Sequence, residues 1–274
     1  MTHEDDLSWT RFSDHVRVAQ VDRVGFIRLD RGDGLNALSV QAMEELTAVA
    51  DHFGRDVETT ALVLTGGPAY FSAGADLNDP ALRERRTLGL LAQRQALKVG
   101  PDMCAAWERL EQVTVCAVEG FCIGGGVALA VACDLRVAGR GAFFRLPEVP
   151  LGMNMSWQTN PRTVNLIGPA KAKLFTILGE RLNAGQALDW GLIDQLTEDG
   201  EAFAQARGLA ERFAALPPLG VRMSKQAIDA AAKPLNYTAS YMDRDQFALA
   251  ATSEDQAEAI SAFLEKRKPD FSGS

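Results

Sequence analysis

The sequence predicts an α/β fold with crossover connections, followed by a region of helices alone. Three observations predict it. Short runs of consecutive apolar residues, closed by glycine or polar turns, alternate with segments whose apolar positions recur at i, i+3 and i+4. From about Ala202 the strand pattern stops and helical spacing takes over. The 274 residues suffice for one large or two ordinary domains, and 47% hydrophobic with 23% charged residues excludes disordered, collagen-like and coiled-coil classes.

The elements follow in order. Val16–Val21 and Val24–Leu29 flank Asp22-Arg23 and read as a hairpin. Ser39 is the expected N-cap of a helix carrying Val40, Met43, Leu46, Val49 and Phe53, with Gly54 ending it in a left-handed conformation. Ala61–Thr65 is a buried strand closed by Gly66-Gly67. A charged stretch with Arg83, Arg85 and Arg86, expected to be mobile, precedes a helical pattern that runs through Trp107 and Leu110 to a second buried strand, Val113–Val118. Beyond Gly124-Gly125-Gly126, residues 127–133 are Ala-rich and fit a tightly packed helix, and residues 135–138 and 142–144 read as strands. Pro217-Pro218 and Pro234 punctuate the C-terminal helices, and Ser253 with Gln256 predicts a capping box before Ala257, Ile260, Phe263 and Leu264. The expected division is a core over residues 1–205 and a helical region over residues 206–274.

Charge and cysteine content exclude several function classes. With 28 Lys and Arg against 36 Asp and Glu the net charge is −8, which opposes the attraction to phosphate that nucleic-acid-binding surfaces use. An anionic ligand must therefore be held locally. Cys104, Cys116, Cys122 and Cys133 have neither CxxC spacing nor the density of a disulfide scaffold, so they read as reduced core residues and no metal is expected. The acidic start lacks the basic and apolar regions of a secretory signal, and the uncharged stretch at residues 120–133 is shorter than the ~20 residues of a membrane span. A cytoplasmic protein without membrane partners is expected.

The glycine cluster first suggests a nucleotide-phosphate turn, but G-x-G-x-x-G fails at Leu129, no Gly-Lys-Ser/Thr follows, and G-x-S-x-G is absent. What remains is backbone N–H at the positive end of a buried helix, which suits a developing oxyanion. A second small-residue turn, Phe71-Ser72-Ala73-Gly74-Ala75-Asp76-Leu77, offers another N–H. Two such donors on one carbonyl oxygen are worth about 2.7–4 kcal/mol each in other enzymes.

Taken together, Asn36-Ala37-Leu38, the turn at residues 71–77, Gly124-Gly125-Gly126, Leu146-Pro147-Glu148 with Leu151-Gly152, Asn183-Ala184 and the tail at residues 261–267 resemble the enoyl-CoA hydratase/isomerase (crotonase) superfamily. The resemblance covers nearly the whole chain in order. It implies a spiral of ββα units with a helical C-terminal trimerisation region, a homotrimer or dimer of trimers, and an acyl-CoA substrate with no tightly bound cofactor, coenzyme A entering as part of the thioester. It implies an oxyanion hole from the N–H groups of Ala75 and Gly125, and CoA contacts from Asn36, Ala37, Leu38, Ala73, Ala75 and Asp76. Phe263 and Lys266 would meet CoA on the neighbouring subunit. Asp76 is also expected to cap a helix after Leu77, and Arg31 to stand in for the cation that relatives carry where Asp33 lies here.

The resemblance also frames the reaction. Hydratases of the family use two glutamates, and here the first position falls at Ala128 while the second is Glu148. One carboxylate suffices to move a proton between carbons of an enoyl-CoA, so double-bond isomerisation of the Δ3,Δ2 type with Glu148 as shuttle is expected. The alternatives are hydration with Glu148 as the only glutamate, water being held by Asn154 or Ser156, and a non-catalytic acyl-CoA-binding oligomer. Met153, Met155 and Trp157 are expected either to shape the acyl pocket or to fill core. His3, His15 and His52 belong to no expected site.

Overall fold

The computed structural model describes residues 4–274, so His3 lies outside the described residues. Its strands are β1 (Thr10–Arg11), β2 (Val16–Val21), β3 (Val24–Leu29), β4 (Ala61–Thr65), β5 (Val113–Val118), β6 (Phe121–Ile123), β7 (Leu135–Gly139), β8 (Phe143–Arg145), β9 (Leu182–Asn183) and β10 (Gln195–Thr197). The helices are α1 (Val40–Gly54), α2 (Pro80–Glu84), α3 (Leu90–Ala96), α4 (Val99–Glu108), α5 (Gly125–Ala130), α6 (Thr159–Ile177), α7 (Ala184–Trp190), α8 (Ala202–Ala214), α9 (Pro218–Ala232), α10 (Asn236–Ser240), α11 (Asp243–Ala250) and α12 (Glu254–Glu265).

The larger sheet has the order β1-β2-β3-β4-β5-β7-β10. The predicted hairpin is present, β2 and β3 pairing antiparallel with Asp22 at positive φ in the turn, and β3 through β10 pair in parallel. Strands β4 and β5 are buried at every residue, which is why they read as unbroken apolar runs. At Gly120 the chain leaves this sheet for a smaller one, β6-β8-β9. Single bridges, Leu38↔Ala75 and Ser72↔Cys122, stitch the turn after β4 between residues 36–38 and β6. Both glycine-bearing turns therefore lie beyond the C-terminal ends of β4 and β5, where parallel sheets leave backbone groups unpaired.

Helices cover both faces. Against one face, α1 and α4 bury Met43, Leu46, Met103 and Trp107, and the Trp107 indole N–H donates to the Leu46 carbonyl at 3.0 Å. Against the other, α8 sets Ala202, Phe203, Ala206 and Ala210 on Phe26, Val63, Val115 and Val137. Its alanines allow close approach, so the expected division at residues 205 and 206 falls inside a helix packed on the sheet.

Local details differ from expectation where side-chain chemistry outcompeted pattern. Gly54 stays helical and Arg55 forms the cap. The helix after the glycines runs only from Gly125 to Ala130. Asp76 caps no helix; Asp79 accepts from the N–H groups of Ala81 and Val40 and opens α2 instead. The charged stretch forms α2 and a 3-10 turn at Arg85–Thr87. Ser253 accepts from Gln256 N, but its own N–H donates to Ala250 O, so only half of the expected capping box forms. All four cysteines are buried and unpaired, and burial pushes the thiols of Cys104, Cys116 and Cys122 up. Among the described residues no helix is long and apolar enough to cross a membrane.

Candidate active site

A cavity of about 650 Å³ opens at the ends of β4 and β5, lined by both glycine-bearing turns, the loop after β8, and residues of α3, α4, α11 and α12. Gly74, at φ +86°, turns the chain so tightly that a Cβ there would lie 2.6 Å from the Ile123 carbonyl and 3.1 Å from Gly125 N. The two turns are thus in direct contact. The N–H of Leu38 donates to Gly74 O and that of Asp76 to Leu38 O, which fixes the peptide between them and leaves the Ala75 N–H without an acceptor among the described residues. Gly125 is the first residue of α5, so its N–H has no intrahelical partner. Ala75 and Gly125 both line the cavity, so two donors without protein acceptors among the described residues are available there.

Glu148 stands beside them. Its Oε1 lies 2.7 Å from where a Cβ on Gly124 would be, and Gly124 at φ +52° both opens α5 and clears space for the carboxylate. Its Oε2 is buried with no hydrogen-bond partner. Burial pushes the carboxyl up to about 7, opposed by a backbone hydrogen bond and the positive charge of Arg145. A group poised there gives and takes protons readily near neutral pH. Among the residues lining the cavity Glu148 is the one carboxylate, and Ala128 lies fully buried in the core without reaching the cavity wall.

An adjoining wall is an unusual turn. Trp157 and Gln158 both have positive φ, 60° and 57°, a conformation that costs such residues about 1–3 kcal/mol each. Buried polar bonds hold it. Arg162 pairs through two nitrogens with Glu108 at 3.0 and 2.8 Å, and donates to the Trp157 carbonyl at 2.8 Å and to Gln158 Oε1 at 3.0 Å. Asp243 accepts from Gln158 N at 2.7 Å. The Trp157 ring then covers Gly100 and Gly125 so closely that a Cβ on either would collide with it. Trp157, Met153 and Met155 therefore shape the cavity, with Asn154 and Ser156 among them.

The sequence-derived residues divide. Ala73, Ala75, Gly125 and Glu148 line the cavity; Asn36, Ala37, Leu38, Asp76, Phe263 and Lys266 do not. Asn36 is structural in its side chain, which donates to Leu29 O and Gly66 O and accepts from Arg31 N. Arg31 is committed to Asp76 at 2.9 Å and Asp33 at 3.4 Å, so the cation expected to replace the missing one is already paired. Phe263 is 64% exposed, and Lys266 is exposed at the end of α12. Gln93, Arg244 and Phe247 line the cavity with no role expected from the sequence, and so does Gln256, expected only as a capping residue. No local motif marks them, because packing of α3, α11 and α12 alone brings them there.

A family model described as enoyl-CoA hydratase/isomerase matches residues 20–274. The chain is 31% identical over 255 residues to the short-chain-enoyl-CoA hydratase of Clostridium acetobutylicum, covering 93% of this chain and 96% of that one. Among solved structures it is similar to an enoyl-CoA hydratase from Mycobacterium avium subsp. paratuberculosis K-10, with TM-score 0.82 and 25% identity over 94% of this chain and 98% of the other. An enoyl-CoA hydratase from Bacillus anthracis aligns with TM-score 0.74 and 29% identity over 95% of this chain and 100% of the other.

Proposed function

The chain belongs to the enoyl-CoA hydratase/isomerase family, and from that premise we propose that it transfers protons on an enoyl-CoA thioester with Glu148 as the only carboxylate. The thioester oxygen sits between the N–H groups of Ala75 and Gly125. Ionised Glu148 removes a proton from C2 of a 3-enoyl-CoA; the electron pair spreads into a dienolate whose charge gathers on that oxygen. Return of the proton to C4 gives the 2-enoyl-CoA. The observation that carries this reading is the single carboxylate among the described residues lining the cavity, with Ala128 where the resemblance puts the family's other glutamate.

Hydration is the second reading, and the names of the relatives favour it, since these are hydratases. It requires Glu148 alone to take a proton from water and deliver one to C2, with Asn154 or Ser156 holding the water. Offering 2-enoyl- and 3-enoyl-CoA substrates in 18O water separates the two. Positional isomerisation without 18O supports the first; 18O in a 3-hydroxyacyl product supports the second. Glu148→Gln turning over every substrate at the full rate would sink both.

For binding, we infer that the 36–38 and 73–76 segments follow the pantetheine and adenine, and that a homotrimer or dimer of trimers brings Phe263 and Lys266 to the neighbouring subunit's CoA. Their exposure, with that of Leu264, Leu249 and Tyr237 on the same C-terminal helices, supports this.

A further inference from the structure

Helix α11 carries into the cavity a cation that the proton transfer does not use. Arg244 lies on the second residue of α11 and lines the cavity with Phe247, Ala248 and Ala251. Its side chain makes no hydrogen bond or ion pair among the described residues, and its Nε is buried without a partner. The neighbouring carboxylates feel its charge but spend their hydrogen bonds elsewhere. Asp245 receives both Arg94 nitrogens at 2.6 and 3.0 Å, and Asp243 accepts from Gln158 N at 2.7 Å. Asn154 lines the same wall, its Nδ2 3.4 Å from the Asp243 carbonyl and its Oδ1 buried and unpartnered.

A guanidinium keeps its charge at any physiological pH, and a buried polar donor left unpaired costs free energy that a ligand can recover. The fork of a guanidinium matches a carboxylate in two parallel hydrogen bonds. Its neighbours Asp243 and Asp245 tie the start of α11 to Asn154, Gln158 and Arg94, whereas the CoA moiety is expected along residues 36–38 and 73–76, which assigns the cation to the acyl end. The same cavity is lined by the apolar Leu97, Val99 and Trp157. A charged tip reached across an apolar passage is the pattern of an ω-functionalised chain.

We propose that Arg244 binds a carboxylate at the far end of the acyl chain, making the preferred substrate a dicarboxylic acyl-CoA monothioester. The proposal rests on the reading that an acyl-CoA thioester lies with its oxygen at Ala75 and Gly125. Its test is calorimetric binding of saturated, non-reacting thioesters, comparing plain acyl-CoAs with their ω-carboxylate counterparts over chains of four to ten carbons. The native protein is expected to favour the ω-carboxylate by about tenfold or more at its best length, the effect of a charge-assisted hydrogen-bond pair. Arg244→Met should remove that preference while leaving plain acyl-CoA binding within about threefold, and Arg244→Lys should keep part of it. Equal binding at every length, or a preference that survives in a folded Arg244→Met, overturns the proposal. Turnover that depends on Glu148 without any charge preference removes the subsite alone; a charge preference without turnover of any enoyl-CoA removes the proton-transfer reading and leaves the subsite.

Discussion

The two sides of the cavity are built on opposite principles. The proposed oxyanion side is backbone: the peptides at Ala75 and Gly125 are fixed by parallel strands and short bridges, and the residues of the two turns themselves, Ala73, Gly74, Ala75, Gly124 and Gly125, are small. The acyl side is made of large side chains on a turn with two positive-φ residues, held by ion pairs and C-terminal helices. A backbone site tolerates change only in its side-chain volume, whereas a side-chain site depends on each bond that holds the turn.

The largest expected effect breaks the acyl side. Glu108→Gln leaves the Arg162 guanidinium, 2% exposed, facing a neutral amide, and loss of one partner from a buried pair costs about 3–5 kcal/mol. Urea denaturation should show it. Arg162→Met combined with Glu108→Leu should recover much of the loss in folding, yet release the Trp157–Gln158 turn, because the bonds to the Trp157 carbonyl and Gln158 Oε1 are gone. A double variant that retained native acyl-CoA affinity would remove the network from any part in shaping the cavity.

On the oxyanion side, Gly74→Ala places a Cβ 2.6 Å from the Ile123 carbonyl at a φ that L residues avoid. Displacing one donor should lower kcat/KM by about 10²–10³-fold while folding stability falls less. Gly125→Ala acts differently, because the obstacle is the Trp157 ring and not backbone. Adding Trp157→Ala should restore part of its activity and none of that lost by Gly74→Ala. Equal rescue of both would mean that the ring, and not the peptide geometry, positions the donors.

The same contrast governs what the sequence disclosed. Strands β4 and β5 were readable to the residue because burial on both faces leaves only apolar runs. The contact of the two small-residue turns was readable because close backbone approach demands glycine, and the place of Glu148 in the same cavity because it lies in a short motif. The family resemblance supplied their roles. Arg244, Gln93 and Phe247 were not readable, since nothing in a local window says that α11 packs on α3 through Arg94 and Asp245. Arg31 misled for a related reason: its cationic character shows in the sequence, but its capture by Asp76, distant in the chain, does not.

Glu148 links the two sides through pH. Its carboxyl is raised from the usual 4.5 to about 7 by burial, so the folded state holds this proton more tightly than the unfolded chain. Its contribution to stability is greatest below about pH 4.5, declines as pH rises to about 7 and is flat above. Activity has the opposite sign, because the base must be ionised: kcat/KM should climb with pH and level off above about 7. Glu148→Gln should therefore be more stable than the native protein at pH 8 by about 1–3 kcal/mol, with the difference vanishing near pH 4.5. A difference independent of pH would show that Glu148 is not the buried titrating group.

The smallest effect concerns a residue on neither side of the cavity within its own chain. Lys266 ends α12 at φ 55° and is exposed, so Lys266→Ala should leave folding stability within about 0.5 kcal/mol. If its charge meets CoA on a neighbouring subunit, KM for CoA thioesters rises while kcat stays constant, since the contact is equally present in ground and transition states. The rise should be largest at low ionic strength, where an exposed charge is least screened. An unchanged KM at low salt would take Lys266 out of the CoA site and leave both sides of the cavity, oxyanion and acyl, to be supplied by a single chain.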